Sequence, residues 1–203
     1  MRLIGITGAA GAGKDTVAEI ISAASASAAR IAFADLLKAE CADAWGIDVR
    51  VFNERAIKET SLEQLALRRC SVAAFCNYAW ELASLQSLKP RTVMQRWGDF
   101  RRGCDPDYFL GAVQRAHDVL SASPERPEVL IVTDVRFPNE AALIDRLGGA
   151  LWRVRRTTVV PIGSHDSEWF TRHLRVDHEI RNDGTIDELR RVVVDLLGAF
   201  DAS

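Results

Sequence analysis

The 203-residue sequence lacks the features that would indicate a membrane-embedded protein or a secreted disulfide scaffold. No apolar run approaches the ~20 residues that a bilayer-spanning helix needs. The chain begins without the basic segment and apolar stretch of a signal peptide. Its four cysteines include no CxxC pair and have no histidine at metal-ligand spacing. We therefore expect a cytoplasmic protein with reduced thiols and no membrane partner.

The sequence also lacks an excess of charge of either sign. Its 26 lysines and arginines nearly balance 28 aspartates and glutamates, which leaves a formal net charge of −2. No overall basic field draws such a chain to nucleic acid, so we expect no nucleic-acid partner. Any anion that the protein binds must be held by local groups, which directs attention to glycine-rich turns and individual arginines.

Short apolar runs alternate with helical patterns along the chain. The run VLIVT is almost wholly apolar, as is typical of a central parallel strand that is buried on both faces. Strands separated by helices predict a parallel sheet between two helical layers, the three-layer α/β architecture of P-loop NTPases. Five strands are predicted, at residues 2–7, 30–33, 129–133, 150–154 and 177–180.

The segment 35–122 contains no convincing strand. Its patterns are helical, with the longest over residues 61–88. We interpret it as a substrate-binding insertion into a single domain whose core comprises about 1–34 and 123–203. Open α/β sheets bind ligands at the carboxyl ends of their strands, and the insertion is expected to lie over that edge. The polar segment 156–176 is the predicted lid.

The most specific motif follows the first predicted strand. Gly8, Gly13 and Lys14 fit the spacing GxxxxGK between a strand and a helix, which is the context that the motif requires. Glycines allow the backbone N–H groups to surround a phosphate, and Lys14 neutralises the β and γ oxygens. A purely structural turn is disfavoured, because the spacing and both flanks match. The predicted ATP-binding residues are Gly8, Ala10, Gly11, Ala12, Gly13, Lys14, Asp15 and Thr16.

The position after the lysine departs from the usual motif. It normally carries serine or threonine for magnesium, whereas this chain has Asp15 there and Thr16 one residue later. Thr16 is the better hydroxyl candidate, directly or through water. Asp134 ends the buried strand and is placed to hold the same ion. A cap of the next helix is the alternative for Asp134, but Asn139 is an equally good cap. The sequence thus predicts Mg²⁺ as a cofactor of ATP, with Thr16 and Asp134 as metal residues.

Several basic residues could balance the charge of substrate phosphates, because the guanidinium fork matches phosphate oxygens. Most surface arginines are solvated and bind nothing specific, so Arg96, Arg101 and Arg156 rank below Arg102, Arg136 and Arg155. The catalytic candidates are Lys14, Arg102, Arg136 and Arg155. The substrate-binding candidates are Asp35, Lys38, Arg96, Arg102, Asp134 and Arg136.

His165 and Glu168 lie in the predicted lid. If the site transfers a phosphoryl group to an acceptor that is itself an anionic phosphate, the reaction requires no general base. We therefore interpret both residues as lid or partner contacts and not as catalytic groups.

Six blocks of the sequence together resemble the phage-type deoxynucleoside monophosphate kinases. They are GITGAAGAGKDTVA, FADLLK, QRWGDFRR, TDVRFPNEA, HDSE and IRNDGTIDEL, and they extend from residue 4 to about 189. GKDT and DVRFPNEA are the most specific, whereas Leu36 stands where the family suggests proline. The resemblance implies a nucleoside monophosphate kinase fold with a lid. It also implies the magnesium-dependent reaction of ATP with a dNMP to give ADP and dNDP, in the host cytoplasm if the gene is phage-encoded.

Other functions remain open. A dephospho-coenzyme A kinase shares the loop and the N-x-G turn, and Asp35 could supply the base that its hydroxyl acceptor needs, but DVRFPNEA argues against it. A nucleotide-binding regulator would carry an NKxD motif, which is absent, or an effector domain, for which the length leaves little room. An ATPase motor lacks recognisable assembly helices here. The preferred base cannot be read from the sequence, and a homodimer is one option for the oligomeric state.

Overall fold

The computed structural model describes residues 1–54, 56–158 and 166–200, with the backbone alone for 166–168 and 200. The chain divides into two compact units. The first comprises Met1–Phe33 and Leu110–Ser203, and the second comprises Ala34–Phe109.

The first unit is built on a five-stranded parallel sheet. Its strands are β1 (Arg2–Thr7), β2 (Ala28–Ile31), β3 (Val129–Val132), β4 (Ala150–Arg155) and β5 (His178–Arg181). They are arranged in the order β2-β3-β1-β4-β5, and each neighbouring pair is parallel. All four residues of β3 are buried, as its apolar sequence predicts.

Helices return the chain between these strands, as parallel pairing requires. The described helices are α1 (Lys14–Ala24), α2 (Phe33–Trp45), α3 (Arg50–Asn53), α4 (Ala73–Tyr78), α5 (Pro90–Cys104), α6 (Leu110–Ala122), α7 (Pro138–Arg146), α8 (Asp166–His173) and α9 (Ile186–Phe200). Among the described residues, no helix combines the length and the apolarity that crossing a bilayer demands.

Helices cover both faces of the sheet. On one face α1 and α9 pack together over a core that includes Ile4, Ile6, Ile131 and Trp152. On the other face α7 packs on β1 and β4, and α6 packs beside α7. The predicted three-layer α/β architecture is therefore confirmed.

The second unit is helical and centred on aromatic side chains. The rings of Phe75 and Trp97 have centroids 4.8 Å apart, and Trp45 meets Phe75 edge-on at 5.7 Å. The one strand-like contact among its described residues is an isolated antiparallel bridge between Leu62 and Leu88. The unit thus buries its apolar side chains by helix packing around an aromatic centre.

Two expectations for the insertion differ from the structure. The predicted boundary at residue 122 lies beyond the second unit, which ends at Phe109, because α6 packs beside α7 in the first unit. The predicted long helix over 61–88 is wrong. That segment contains α4 and three short 3₁₀ turns, at Glu63–Leu65, Leu67–Arg69 and Trp80–Leu82. Its buried residues Leu65, Leu67 and Phe75 are too irregularly spaced for one helical face.

The predicted lid falls partly outside the described residues. Residues 159–165, and with them His165, are not described, and Glu168 is described by its backbone alone. The described part after this gap contains α8, although a polar, irregular stretch was expected over 161–173.

Glu40 on α2 is a polar anchor of the second unit. Its carboxylate accepts hydrogen bonds from Trp97 Nε1 at 2.7 Å, from Arg101 Nε at 3.0 Å and from the Tyr108 hydroxyl. The bond from Tyr108 raises the pKa of that hydroxyl above its usual value. The Glu40 side chain is only 16% exposed, so these bonds offset the cost of desolvating its charge.

We predict that Glu40→Ala lowers the free energy of unfolding by about 2–4 kcal/mol, because three donors lose their acceptor. Urea denaturation followed by tryptophan fluorescence measures this change. Asp43→Ala, at an exposed position of the same helix, is the matched control and should change it by less than about 0.5 kcal/mol. Equal losses in the two variants would contradict the anchor role of Glu40.

Candidate phosphate-binding site

The glycine-rich loop joins β1 to α1 at the carboxyl edge of the sheet. Gly8, Gly11 and Gly13 have φ values of 145°, 82° and 102°, a region that favours glycine. A Cβ atom added to Gly8 would lie 2.3 Å from the carbonyl oxygen of Val154 on β4. The loop therefore follows a tight path that side chains at these positions would block.

Lys14 is the first residue of α1, and its ammonium group lies against the loop. Nζ donates hydrogen bonds to the carbonyl oxygens of Gly8 at 2.7 Å and Ala9 at 2.9 Å. The N-cap residue is Gly13, which has no side chain to bond the first amides of the helix. The charge of Lys14, the helix dipole and these amides all favour an anion at this position.

Asn182 contacts the loop from the turn between β5 and α9. Its Nδ2 donates to the carbonyl oxygen of Ala12 at 2.8 Å, and its backbone N–H donates to Arg155 at 2.7 Å. Sequence reasoning did not assign Asn182 to the site. The only signal was its place in the IRNDGTIDEL block, which says nothing about which residue it meets.

Asp134 follows β3, the neighbour of β1. Its Oδ1 accepts a hydrogen bond from the backbone N–H of Phe33, the first residue of α2, at 2.7 Å. The carboxylate thus joins the chain that leaves β2 to the chain that leaves β3. The cap role considered for it at α7 is not observed there, since the N-cap of that helix is Phe137 and not Asn139.

Glu140 fixes the backbone of Arg136, a role that sequence reasoning missed. Its side chain is buried, and Oε2 accepts the N–H groups of Arg136 at 2.7 Å and Phe137 at 3.1 Å. Arg136 is half-buried, and no acceptor within the described ranges bonds its guanidinium. A cationic group on a fixed backbone at the sheet edge is suited to an anionic ligand.

Arg155 has a partner of the opposite charge. Its Nη1 lies 3.2 Å from Oε1 of Glu179 on β5, and its side chain is 63% exposed. The same carboxylate lies 3.9 Å from Nη1 of Arg153. Arg155 is thus mostly exposed and paired with a carboxylate, whereas Arg136 is half-buried on a fixed backbone. The sequence had ranked both arginines equally as catalytic candidates.

The remaining substrate-side candidates lie in the second unit. Lys38 pairs with Asp35 on α2 at 3.5 Å, and Arg96 pairs with Glu81 at 3.1 Å. The guanidinium carbon of Arg102 lies 4.8 Å from the centre of the Phe109 ring. Arg96 and Arg102 are six residues apart on α5, which directs them about 120° from each other. The structure therefore does not bring these two arginines to one face of α5.

Asp15 and Thr16 lie on different sides of α1. Thr16 lines a groove between α1 and α9, whereas Asp15 is exposed, with Oδ1 4.0 Å from Nη2 of Arg30 on β2.

The described residues contain no cluster of three or more acidic, histidine or cysteine side chains that could cage a metal ion. Magnesium is usually held by one or two carboxylates, with phosphate oxygens and water completing its octahedron. Asp134 after β3, and the oxygen groups of Asp15 and Thr16 at the start of α1, are ligands of the kind that such an ion takes, provided that the phosphates of a nucleotide supply the others.

Two cavities formed by described residues lie outside this site. One cavity of about 590 Å³ lies between α7 and α8, and another of about 520 Å³ lies between α1 and α9. Neither is lined by Gly8, Lys14 or Asp134. A phosphate cradle binds through backbone N–H groups along a loop and needs no deep cavity.

Comparisons with known proteins do not identify a function for this chain. No family model and no curated protein matches the sequence. Among solved structures, the crystal structure of TT1252 from Thermus thermophilus matches with a TM-score of 0.48 and 17% identity, over 98% of this chain and 97% of that chain. A likeness at this level carries no argument about activity, so function is argued from the residues of the site.

Proposed function

We propose that the protein is a kinase that transfers the γ-phosphoryl group of ATP to a deoxynucleoside monophosphate, giving ADP and a dNDP. The observation that carries the donor half is the loop at the end of β1, with three glycines at positive φ and Lys14 against its carbonyls. The acceptor half is supported by the six sequence blocks that resemble the phage-type family.

The donor phosphates are held by the loop from Gly8 to Thr16. On binding, the ammonium of Lys14 exchanges the carbonyl oxygens of Gly8 and Ala9 for the β and γ oxygens, which carry full charge and are stronger acceptors. The first amides of α1 add further donors. These groups pay no large ordering cost, because the loop already has its bent path.

Magnesium fits this site as the companion of ATP. We assign it to Asp134 and to an oxygen at the start of α1, from Thr16 or from Asp15, which stands where the motif usually carries a hydroxyl. When bound, the ion supplies positive charge to the β and γ phosphates. Asp134 keeps one oxygen on the Phe33 amide, which fixes the orientation of its carboxylate for this role.

The acceptor is an anionic phosphate, so the transfer needs positive charge and no general base. Arg136 suits the transferring group, because Glu140 fixes its backbone and no described acceptor bonds its guanidinium. Arg102 belongs to the QRWGDFRR block of the second unit, and we assign it to the dNMP. Arg155 receives a smaller role, since Glu179 already offsets its charge.

The central experiment measures ADP formation with ATP and each of the four common dNMPs and their ribonucleotide counterparts. We expect ADP only when a dNMP is present, and Lys14→Ala should lower the rate about 10³-fold while the protein stays folded. Lys89→Ala, an exposed lysine, is the control. ADP release that ignores the acceptor, or turnover only with dephospho-coenzyme A, would reject the proposal.

Asp134→Asn tests the metal assignment. Asparagine retains an oxygen that can accept the Phe33 amide, so the fold should persist while the charge that holds magnesium is lost. We expect the Mg²⁺ concentration for half-maximal rate to rise about tenfold and the maximal rate to fall. A thermal unfolding midpoint close to that of the wild type serves as the control, and an unchanged Mg²⁺ dependence would reject the assignment of Asp134 to the metal.

Three arginine variants separate the roles of the basic groups. Arg136→Ala should lower kcat about 10²- to 10³-fold with small changes in both KM values, because it acts on the transferring group. Arg102→Ala should raise the KM for the dNMP far more than the KM for ATP. Arg155→Ala should lower kcat less than about tenfold, because Glu179 already offsets the charge of Arg155. Steady-state kinetics with each substrate varied in turn gives these constants, and an Arg102 variant impaired for ATP alone would reverse the assignment.

A further inference from the structure

We propose that Asn182 is a positioning residue of the donor site, which turns the N–H of Gly13 into the loop by holding the carbonyl of Ala12. The inference rests on the proposed function, because it concerns the loop that would bind the triphosphate. It adds a residue that lies outside the GxxxxGK motif and is separated from it by most of the chain.

The geometry of the peptide bond carries the first step. The described residues contain no cis peptide bond, so the C=O of Ala12 and the N–H of Gly13 point in opposite directions across one plane. Nδ2 of Asn182 donates to that carbonyl at 2.8 Å. The amide of Gly13 is therefore directed away from Asn182. Asn182 also satisfies a polar group of Ala12, a residue with no exposed surface.

The second step is that Asn182 itself is held in place. Its backbone N–H donates to the carbonyl oxygen of Arg155 at 2.7 Å. The next residue, Asp183, accepts the N–H of Thr157 at 2.6 Å and its hydroxyl at 2.8 Å. The turn is thus bonded to the chain at and beyond the end of β4, and its amide can act as a fixed support.

Gly13 and Asn182 are matched in shape. A Cβ atom on Gly13 would lie 2.2 Å from Nδ2, and the φ of Gly13 is 102°. The absence of a side chain at Gly13 is what lets the Asn182 amide approach the backbone. Gly13 therefore has two roles. It leaves room for the Asn182 amide from the turn after β5, and it permits the bend of the loop.

The experiment compares two ligands on the full chain. The dissociation constants of ATP and of inorganic tripolyphosphate are measured with Mg²⁺ by competition against a fluorescent ATP analogue. Asn182→Asp keeps the size of the side chain and removes the donor, and Asn77→Asp makes the same chemical change at an exposed position of α4. We expect Asn182→Asp to weaken both ligands by the same factor, about tenfold or more. Affinity for the dNMP should not change, and Asn77→Asp should change none of the constants.

Other outcomes separate the two levels of the proposal. If Asn182→Asp weakens the binding of ATP but not of tripolyphosphate, Asn182 acts on the nucleobase and the inference is overturned. Unchanged affinity for both ligands would also overturn it. Wild-type protein that binds ATP but not tripolyphosphate would overturn it as well, because the loop would then not hold the phosphates. Wild-type protein that binds neither would overturn the donor site and the proposed function with it. If Asn182→Asp does not fold, Asn182→Ala removes the same donor without adding charge, and the same comparison applies.

Discussion

The turn from β1 into α1 is the constraint on which the rest of the site depends. The chain must leave a buried strand, pass against the backbone of β4 and begin a helix at Lys14. It can do so because Gly8 meets the carbonyl oxygen of Val154 where a Cβ atom would lie at 2.3 Å, and because Gly11 and Gly13 also take positive φ. Once that path is set, Lys14 and the first amides of α1 converge on one position.

Polar side chains around this turn act mainly on backbone groups. Asp134 accepts the Phe33 amide, Glu140 accepts the amide of Arg136, and Asn182 donates to Ala12. The first bond joins the chain after β2 to the chain after β3, the second lies within the turn before α7, and the third joins the turn after β5 to the loop after β1. Donors that are fixed before the ligand arrives stabilise developing charge without reorganisation. The same bonds that hold the edge together would therefore also prepare it for phosphate.

The sequence predicted the parts of this arrangement that depend on local pattern. GxxxxGK stands between a strand and a helix, and the apolar run at residues 129–133 contains the fully buried strand β3, which lies beside the central strand β1 and is not itself central. It did not predict that Asn182 meets Ala12, because the two are 170 residues apart and no periodicity links them. It also assigned no role to Glu140, which holds the backbone N–H groups of Arg136 and Phe137. The prediction of one long helix over 61–88 was wrong because the composition of the segment favours helix. The positions of its buried leucines are set by packing within the second unit and do not have helical spacing.

The bonds of Lys14 and Asn182 hold the glycine-rich loop at two points. An ammonium group with no acceptor beside it would favour an open, solvated loop, whereas Lys14 bonds the carbonyls of Gly8 and Ala9. Asn182 bonds the carbonyl of Ala12 from a different element, so the loop is held at its beginning by its own lysine and near its end by β5. Under the proposed function, phosphate binding would replace the hydrogen-bond partners of Lys14 instead of ordering a segment, so little conformational entropy would be lost at that step.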